Sequence, residues 1–508
     1  MVSARGRLGK PARRVVPRAW WSLLALAMWT APVAAQLQRT PARSVTRHVA
    51  RIAGAPVAYT AFVEEHLMGD APGEVDASLV TIAYVRDSVA DVDNRPVIFL
   101  FNGGPGASSS PLHLNGVGPR VVAGDTLADN DDSLLDVADL VFIDPVGTGF
   151  SRPVTTEAGK RRYWTRSGDA RSVADVIAAW LRAHSRTESP RYLMGESYGT
   201  VRAAAILQLH RALRFDGVML VATVSRDSVG STTNDAYIGV LPTMATSAWY
   251  WEKADRAGRS VDAVYAEASA FARGDYALAL GAGAALGADE RARVAERVAA
   301  LTGLPHALVM RRSLRLSNED WMQHILADRE LRTGMLDTRV TSKRDTTRTG
   351  GLNDPALNGG TLRIGTAMLA PALVPGTPEA AAAQRDRSQM PRVERYIREE
   401  LGFQTIEQYR ALNLDINAVW KYEEGLGVVG PVAEAMRRDR GLRVLWANGL
   451  YDLTTPAFAA ERAWERAGAP GERVTKVLVP GPHGVFGDAE SRAVVVARVR
   501  RWFAAGAR

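Results

Sequence analysis

Residues 191–213 constrain this chain more than any other stretch. Arg191-Tyr192-Leu193-Met194 reads as a short apolar strand, Gly195-Glu196-Ser197-Tyr198-Gly199 follows at once, and Thr200 to Leu213 has the pattern of a helix. A chain that turns from strand to helix this abruptly holds the central residue in strained backbone geometry. Glycines on either side avoid the resulting clashes. G-x-S-x-G in that setting is a nucleophile elbow, with the serine hydroxyl held clear of a sheet and a helix N-terminus beneath it.

The surrounding pattern agrees. Val97–Phe101, Leu140–Asp144 and Val218–Val221 are further short apolar strands, and Val173 to Ala183 is helical, with Val173, Val176, Ile177, Trp180 and Leu181 on one side. Strands alternating with helices predict a mostly parallel sheet covered on both faces. From about Arg226 to Gly441 the chain becomes alanine-rich and helical, as in Ala284 to Leu301, with a polar loop from Thr341 to Gly360. Strand character returns at Leu442–Ala447 and Val474–Val479, and Ser491 to Phe503 closes as a helix. The expected organisation is therefore an α/β core in two parts, residues 36–225 and 441–508, interrupted by a helical cap at 226–440.

With 508 residues, 46% apolar and 23% charged, the chain can bury a large core. Its net charge of +8 is mostly local. Arg5, Arg7, Lys10, Arg13, Arg14 and Arg18 lie in the first 35 residues with no acid, and without them the balance is +2. That is no basis for nucleic-acid binding. The same tail runs into the apolar stretch Trp20–Trp29 and then Val33-Ala34-Ala35, the form of a cleaved export signal over residues 1–35. The expected destination is the periplasm or the exterior, with no stable membrane insertion after cleavage. There is no cysteine, which excludes disulfides, cysteine-based metal sites and a cysteine nucleophile. Nothing in the pattern fixes an oligomeric state.

A serine hydroxyl needs a base, and the base needs an orienting acid, in the chain order Ser, acid, His. Asp452 follows the strand ending at Ala447, and His483 follows the strand ending at Val479 within Pro480-Gly481-Pro482-His483-Gly484. Loops at the carboxyl ends of parallel strands are where ligand-facing groups sit. Ser197, Asp452 and His483 are the expected triad, and His113, near a glycine turn, is the one rival base. The developing oxyanion needs backbone donors. Tyr198 supplies one N–H, and the turn Asn102-Gly103-Gly104-Pro105-Gly106 the other, at Gly104. A phosphate-binding role for that turn is disfavoured, since no G-K-[ST] follows. No H-E-x-x-H or dense His/Asp cluster calls for a metal, and no cofactor is expected.

These stretches resemble the serine carboxypeptidase family of α/β-hydrolases, in a bacterial type without cysteines. The resemblance rests on Asn102-Gly103-Gly104-Pro105-Gly106 with Ser108-Ser109 and Gly118-Pro119, on Asp144-Pro145-Val146-Gly147-Thr148-Gly149-Phe150-Ser151, on the Glu196-Ser197-Tyr198 elbow, and on His483 with its following helix. It implies an α/β-hydrolase fold and removal of C-terminal residues from peptides through an acyl-enzyme. It also implies that Asn102, the Gly103 N–H and Glu196 hold the substrate's terminal carboxylate. Two acids side by side require one to keep a proton, so binding is expected to favour mildly acidic pH. Three positions depart from the family: Leu100 replaces a tryptophan, Gly116 a second recognition glutamate, and Ala107 a cysteine. The first two leave room for a serine esterase or acyltransferase using the same triad.

Overall fold

A computed structural model describes residues 40–69, 75–124, 126–153, 156–225, 232–345, 354, 392–420 and 427–506. The export signal and its cleavage point, and most of the expected polar loop at 341–360, lie outside the described residues.

The strands are β1 (Arg43–Ile52), β2 (Ala55–Met68), β3 (Ala77–Arg86), β4 (Val97–Phe101), β5 (Arg120–Ala123), β6 (Thr126–Asp129), β7 (Asp139–Asp144), β8 (Arg152–Pro153), β9 (Arg191–Glu196), β10 (Gly217–Val221), β11 (Leu331–Thr333), β12 (Thr341–Lys343), β13 (Arg443–Gly449) and β14 (Val474–Val479). One sheet runs in the order β1-β2-β3-β7-β4-β9-β10-β13-β14, with β8 paired to β3. From β7 to β14 every neighbour is parallel. This is the mostly parallel sheet that the strand–helix alternation predicts, in the α/β-hydrolase arrangement that the family resemblance implies.

The antiparallel edge β1-β2-β3 is new relative to that expectation. The β1–β2 hairpin closes through Ala53 and Gly54, both at positive φ (50° and 80°), the geometry of a two-residue hairpin turn. The signal was weak: β1 is polar and lies at the sheet edge, with Val45 and Val49 exposed, so its apolar residues mark no buried face.

Alternate side chains of the parallel strands feed two apolar layers. Ile98, Leu100, Met194, Met219 and Leu445 pack with Val495, Val499 and Trp502 of the helix Ala489–Ala504. Phe99, Phe101, Leu193, Leu220 and Trp446 face the helices Arg166–Ala183 and Tyr198–Leu209. The expected cap forms its own cluster around Leu241, Met244, Val298 and Trp321, and Leu450 and Leu453, which flank Asp452, belong to that cluster. Its C-terminal part sits elsewhere. Val393, Tyr396 and Ile397 join one core layer, and Val429, Val432 and Met436 the other. The helices Arg392–Arg395, Tyr396–Glu400 and Val429–Arg438, which lie in the stretch assigned from sequence to the cap, thus pack as part of the core. No described helix is long and apolar enough to cross a membrane.

Candidate active site

Ser197 follows β9 directly, with φ 59° and ψ −126°, a conformation that non-glycine residues hold only under constraint. The constraint is visible. A Cβ on Gly195 would come within 2.2 Å of the Gly199 carbonyl oxygen, and one on Gly199 within 2.7 Å of the Phe101 oxygen. The Ser197 N–H donates to the Val221 carbonyl at 2.9 Å, which anchors the elbow to β10. The glycine turn after β4 lies directly against it, since a Cβ on Gly103 would sit 2.3 Å from the Tyr198 nitrogen.

Asp452 and His483 meet at the ends of the next two strands. His483 Nδ1 lies 2.8 Å from Asp452 Oδ2, and both side chains are buried. Asp452 Oδ1 also accepts from the N–H groups of Thr454 (2.8 Å) and Thr455 (3.2 Å), and the Thr455 hydroxyl donates to Oδ2. Burial pulls the His483 imidazolium down, but the charge and hydrogen bond of Asp452, with Glu196 and Asp354 behind them, outweigh it and hold His483 above its ordinary value. Among the described residues no hydrogen bond joins the Ser197 hydroxyl to His483. The acid and base are paired, and the hydroxyl sits at the end of β9, two strands from β13. Such contacts commonly tighten only once substrate is bound.

Glu196 is buried beside the elbow, where Asn102 Nδ2 donates to its Oε1 at 2.7 Å. Asn102 Oδ1 in turn accepts from the Leu112 N–H at 3.1 Å. Burial pushes the Glu196 carboxyl up to about 7, against the His483 charge and the Asn102 hydrogen bond and with help from Asp452. At the first departure, Leu100 points into the opposite layer from Phe101. At the second, Gly116 is buried, and its carbonyl accepts from Asn130 Nδ2 at 2.8 Å. The rival His113 is not a base. It is fully buried, stacked on Phe142, and its Nε2 meets the Tyr84 hydroxyl at 2.6 Å. Burial drives it down to about 3. No group of three or more His, Asp or Glu placed to hold a metal occurs among the described residues.

Sequence reasoning missed three supports. Arg410–Asn413 straps the glycine turn to the loop after β7: Ser108 N–H donates to Ala411 O at 2.9 Å, Asn413 N–H to Gly106 O at 2.7 Å, and Gly149 N–H to Arg410 O at 2.8 Å. Met335–Thr338 threads between the acid and base loops. There Leu453 N–H donates to Met335 O (2.9 Å), His483 N–H to Leu336 O (2.8 Å) and Thr338 N–H to Tyr451 O (3.0 Å). Thr455, which touches both Asp452 and His483, is the third. Its place three residues past the acid was the only signal it gave.

Fold and site together define an α/β-hydrolase-fold chain with a serine elbow and a buried acid–histidine pair. Within that class, residues 84–210 match the sequence model described as serine carboxypeptidase. The chain is 52% identical over 58 residues to the pheromone-processing carboxypeptidase KEX1 of Verticillium alfalfae, a match covering 11% of this chain and 9% of that protein. It is 40% identical over 108 residues to the KEX1 of Ajellomyces capsulatus, covering 20% and 16%. These matches therefore span less than a fifth of the curated relatives. In three dimensions the crystal structure of KEX1ΔP, a prohormone-processing carboxypeptidase from Saccharomyces cerevisiae, aligns over 87% of this chain and 92% of its own, with a TM-score of 0.51 and 15% identity. That likeness concerns the fold.

Proposed function

We propose that the chain is an exported serine carboxypeptidase, periplasmic or secreted, acting on peptides without a cofactor. The Ser197 oxygen attacks the carbonyl carbon of the last peptide bond while its proton passes to His483 Nε2. The N–H groups of Gly104 and Tyr198 stabilise the oxyanion, and Asp452 stabilises the imidazolium. His483 then protonates the departing amine, the C–N bond breaks, and an ester to Ser197 remains. Water attacks that ester, giving its proton to His483 and the acyl group its hydroxyl, and the serine regains a proton.

One observation carries the exopeptidase reading: a carboxyl raised to about 7, hydrogen-bonded to Asn102, one residue from the nucleophile. Below that pH Glu196 keeps its proton and donates to a substrate carboxylate. Above it two anions face each other and binding weakens. The test is a peptide offered as free acid and as amide at pH 5 and pH 8, followed by mass. We expect release of the C-terminal residue from the acid alone, with KM rising at the higher pH. Equal rates on acid and amide overturn the reading. Gly116, which offers no second carboxyl, favours an esterase or acyltransferase as the alternative. That reading requires small esters to be turned over with no loss near pH 7.

A further inference from the structure

Arg202 lies on the elbow helix and is 1% exposed. Its Nε donates to Asp169 Oδ2 at 2.7 Å and one terminal nitrogen to the backbone carbonyl of Asn102 at 2.6 Å. The guanidinium lies 5.3 Å from the Phe101 ring centroid and 5.6 Å from that of Tyr198. One side chain therefore touches the residue before the glycine turn, the first carbonyl of that turn, and the residue after the nucleophile.

The Asn102 carbonyl is the informative contact. The Asn102–Gly103 peptide is trans, with its C=O and N–H pointing opposite ways. A carbonyl turned inward onto a buried guanidinium leaves the Gly103 N–H facing away from it. Among the described residues neither the Gly103 nor the Gly104 N–H has a hydrogen-bond acceptor. A cation on the carbonyl also polarises the peptide and strengthens its N–H as a donor.

We propose that Arg202 is a positioning residue for substrate recognition: by holding the Asn102 carbonyl it aims the Gly103 N–H at the terminal carboxylate of the peptide. The inference rests on the carboxypeptidase reading above. Removing Arg202 alone strands the Asp169 carboxylate in the core, where an unpaired charge is strongly destabilising, whereas replacing both partners by apolar groups is tolerated. The test is therefore Arg202→Met combined with Asp169→Leu, with Arg202→Lys as a second variant that keeps the charge opposite Asp169.

Each protein is assayed for KM and kcat on an N-acylated dipeptide acid and for the rate of Ser197 labelling by a fluorophosphonate. The label needs the triad and the oxyanion donors but carries no carboxylate. We expect KM to rise about tenfold in the double variant, the worth of one hydrogen bond to a charged group. A smaller rise is expected for Arg202→Lys, with labelling rates unchanged in both. An unchanged KM overturns the proposal. So does a labelling rate that falls in step with catalysis, which marks a purely structural ion pair. If the double variant does not fold, the same comparison in Arg202→Lys decides. Wild-type discrimination between acid and amide is measured first, so failure of the carboxypeptidase reading is seen separately.

Discussion

The elbow and the acid–base pair are held in different ways. Ser197 is fixed by its nearest neighbours in sequence and in the sheet: β9, the helix Tyr198–Leu209, the glycines on either side, and β10. Asp452 and His483 come from loops 31 residues apart, and a third segment more than a hundred residues upstream, Met335–Thr338, is bonded to both loops. The helix Asn234–Tyr250 reaches both that segment and the acid loop, with Ser247 Oγ 2.6 Å from Thr338 Oγ1 and Thr246 Oγ1 donating to the Leu450 carbonyl at 2.8 Å. The insertion is thus part of the scaffold of the base. A local turn is set by backbone sterics, whereas the pair depends on tertiary packing and is the part a distant change can loosen.

The largest effect separates the two regions by chemistry. Ser197→Ala removes the nucleophile but keeps every backbone bond of the elbow, so turnover should fall by roughly 10⁵-fold or more while Tm stays unchanged. Calorimetry beside the peptide assay checks this. A large drop in Tm would mean that the hydroxyl holds the elbow together, against the view that backbone sterics do.

Much of the site was readable where its constraints are local. Apolar runs of strand length, Gly195 and Gly199 around Ser197, and the loops that end in Asp452 and His483 all leave marks within a few residues. The remainder left none. β1 and β2 pair as a hairpin at the sheet edge, where the residues of β1 are too polar and exposed to mark a buried face. The helix Val429–Arg438 reads in sequence like the cap helices before it, and only packing shows that Val429 and Met436 lie under the sheet. Arg202 looks like a helix-surface cation until its contacts with Asn102 and Asp169 are seen. Burial of an arginine depends on what the rest of the fold brings to it.

A smaller effect probes the pair alone. Thr455→Val preserves shape but removes the hydroxyl that donates to Asp452 Oδ2 and lies 3.2 Å from His483 Nδ1. A hydrogen bond to a charged group contributes about 1.5–3 kcal/mol, so kcat should fall by about 10- to 100-fold. KM for the peptide acid should stay constant, because neither Asn102 nor Glu196 is touched. Steady-state kinetics at pH 6 give the split. A change confined to KM would show that Thr455 acts on substrate binding instead.

The smallest effect asks whether the insertion reaches the base electrostatically. Asp354 accepts from the N–H groups of Met335 at 2.8 Å and Leu336 at 3.2 Å, and its charge is one of those that hold His483 up, behind Asp452 and Glu196. Asp354→Asn keeps an acceptor for the two amides and removes the charge. His483 must be neutral to act as base, so the acid limb of kcat/KM follows its ionisation in the free enzyme. Taking away a carboxylate that favours the imidazolium lowers that pKa, and the limb should move to lower pH. The shift should be modest, about a few tenths of a pH unit, as for a single distant charge. It is best read on a small ester, whose binding does not require protonated Glu196. A limb that stays in place while kcat falls at all pH values would make Asp354 a purely mechanical brace for the Met335–Thr338 segment. A limb that moves upward would contradict the electrostatic link between the insertion and the base.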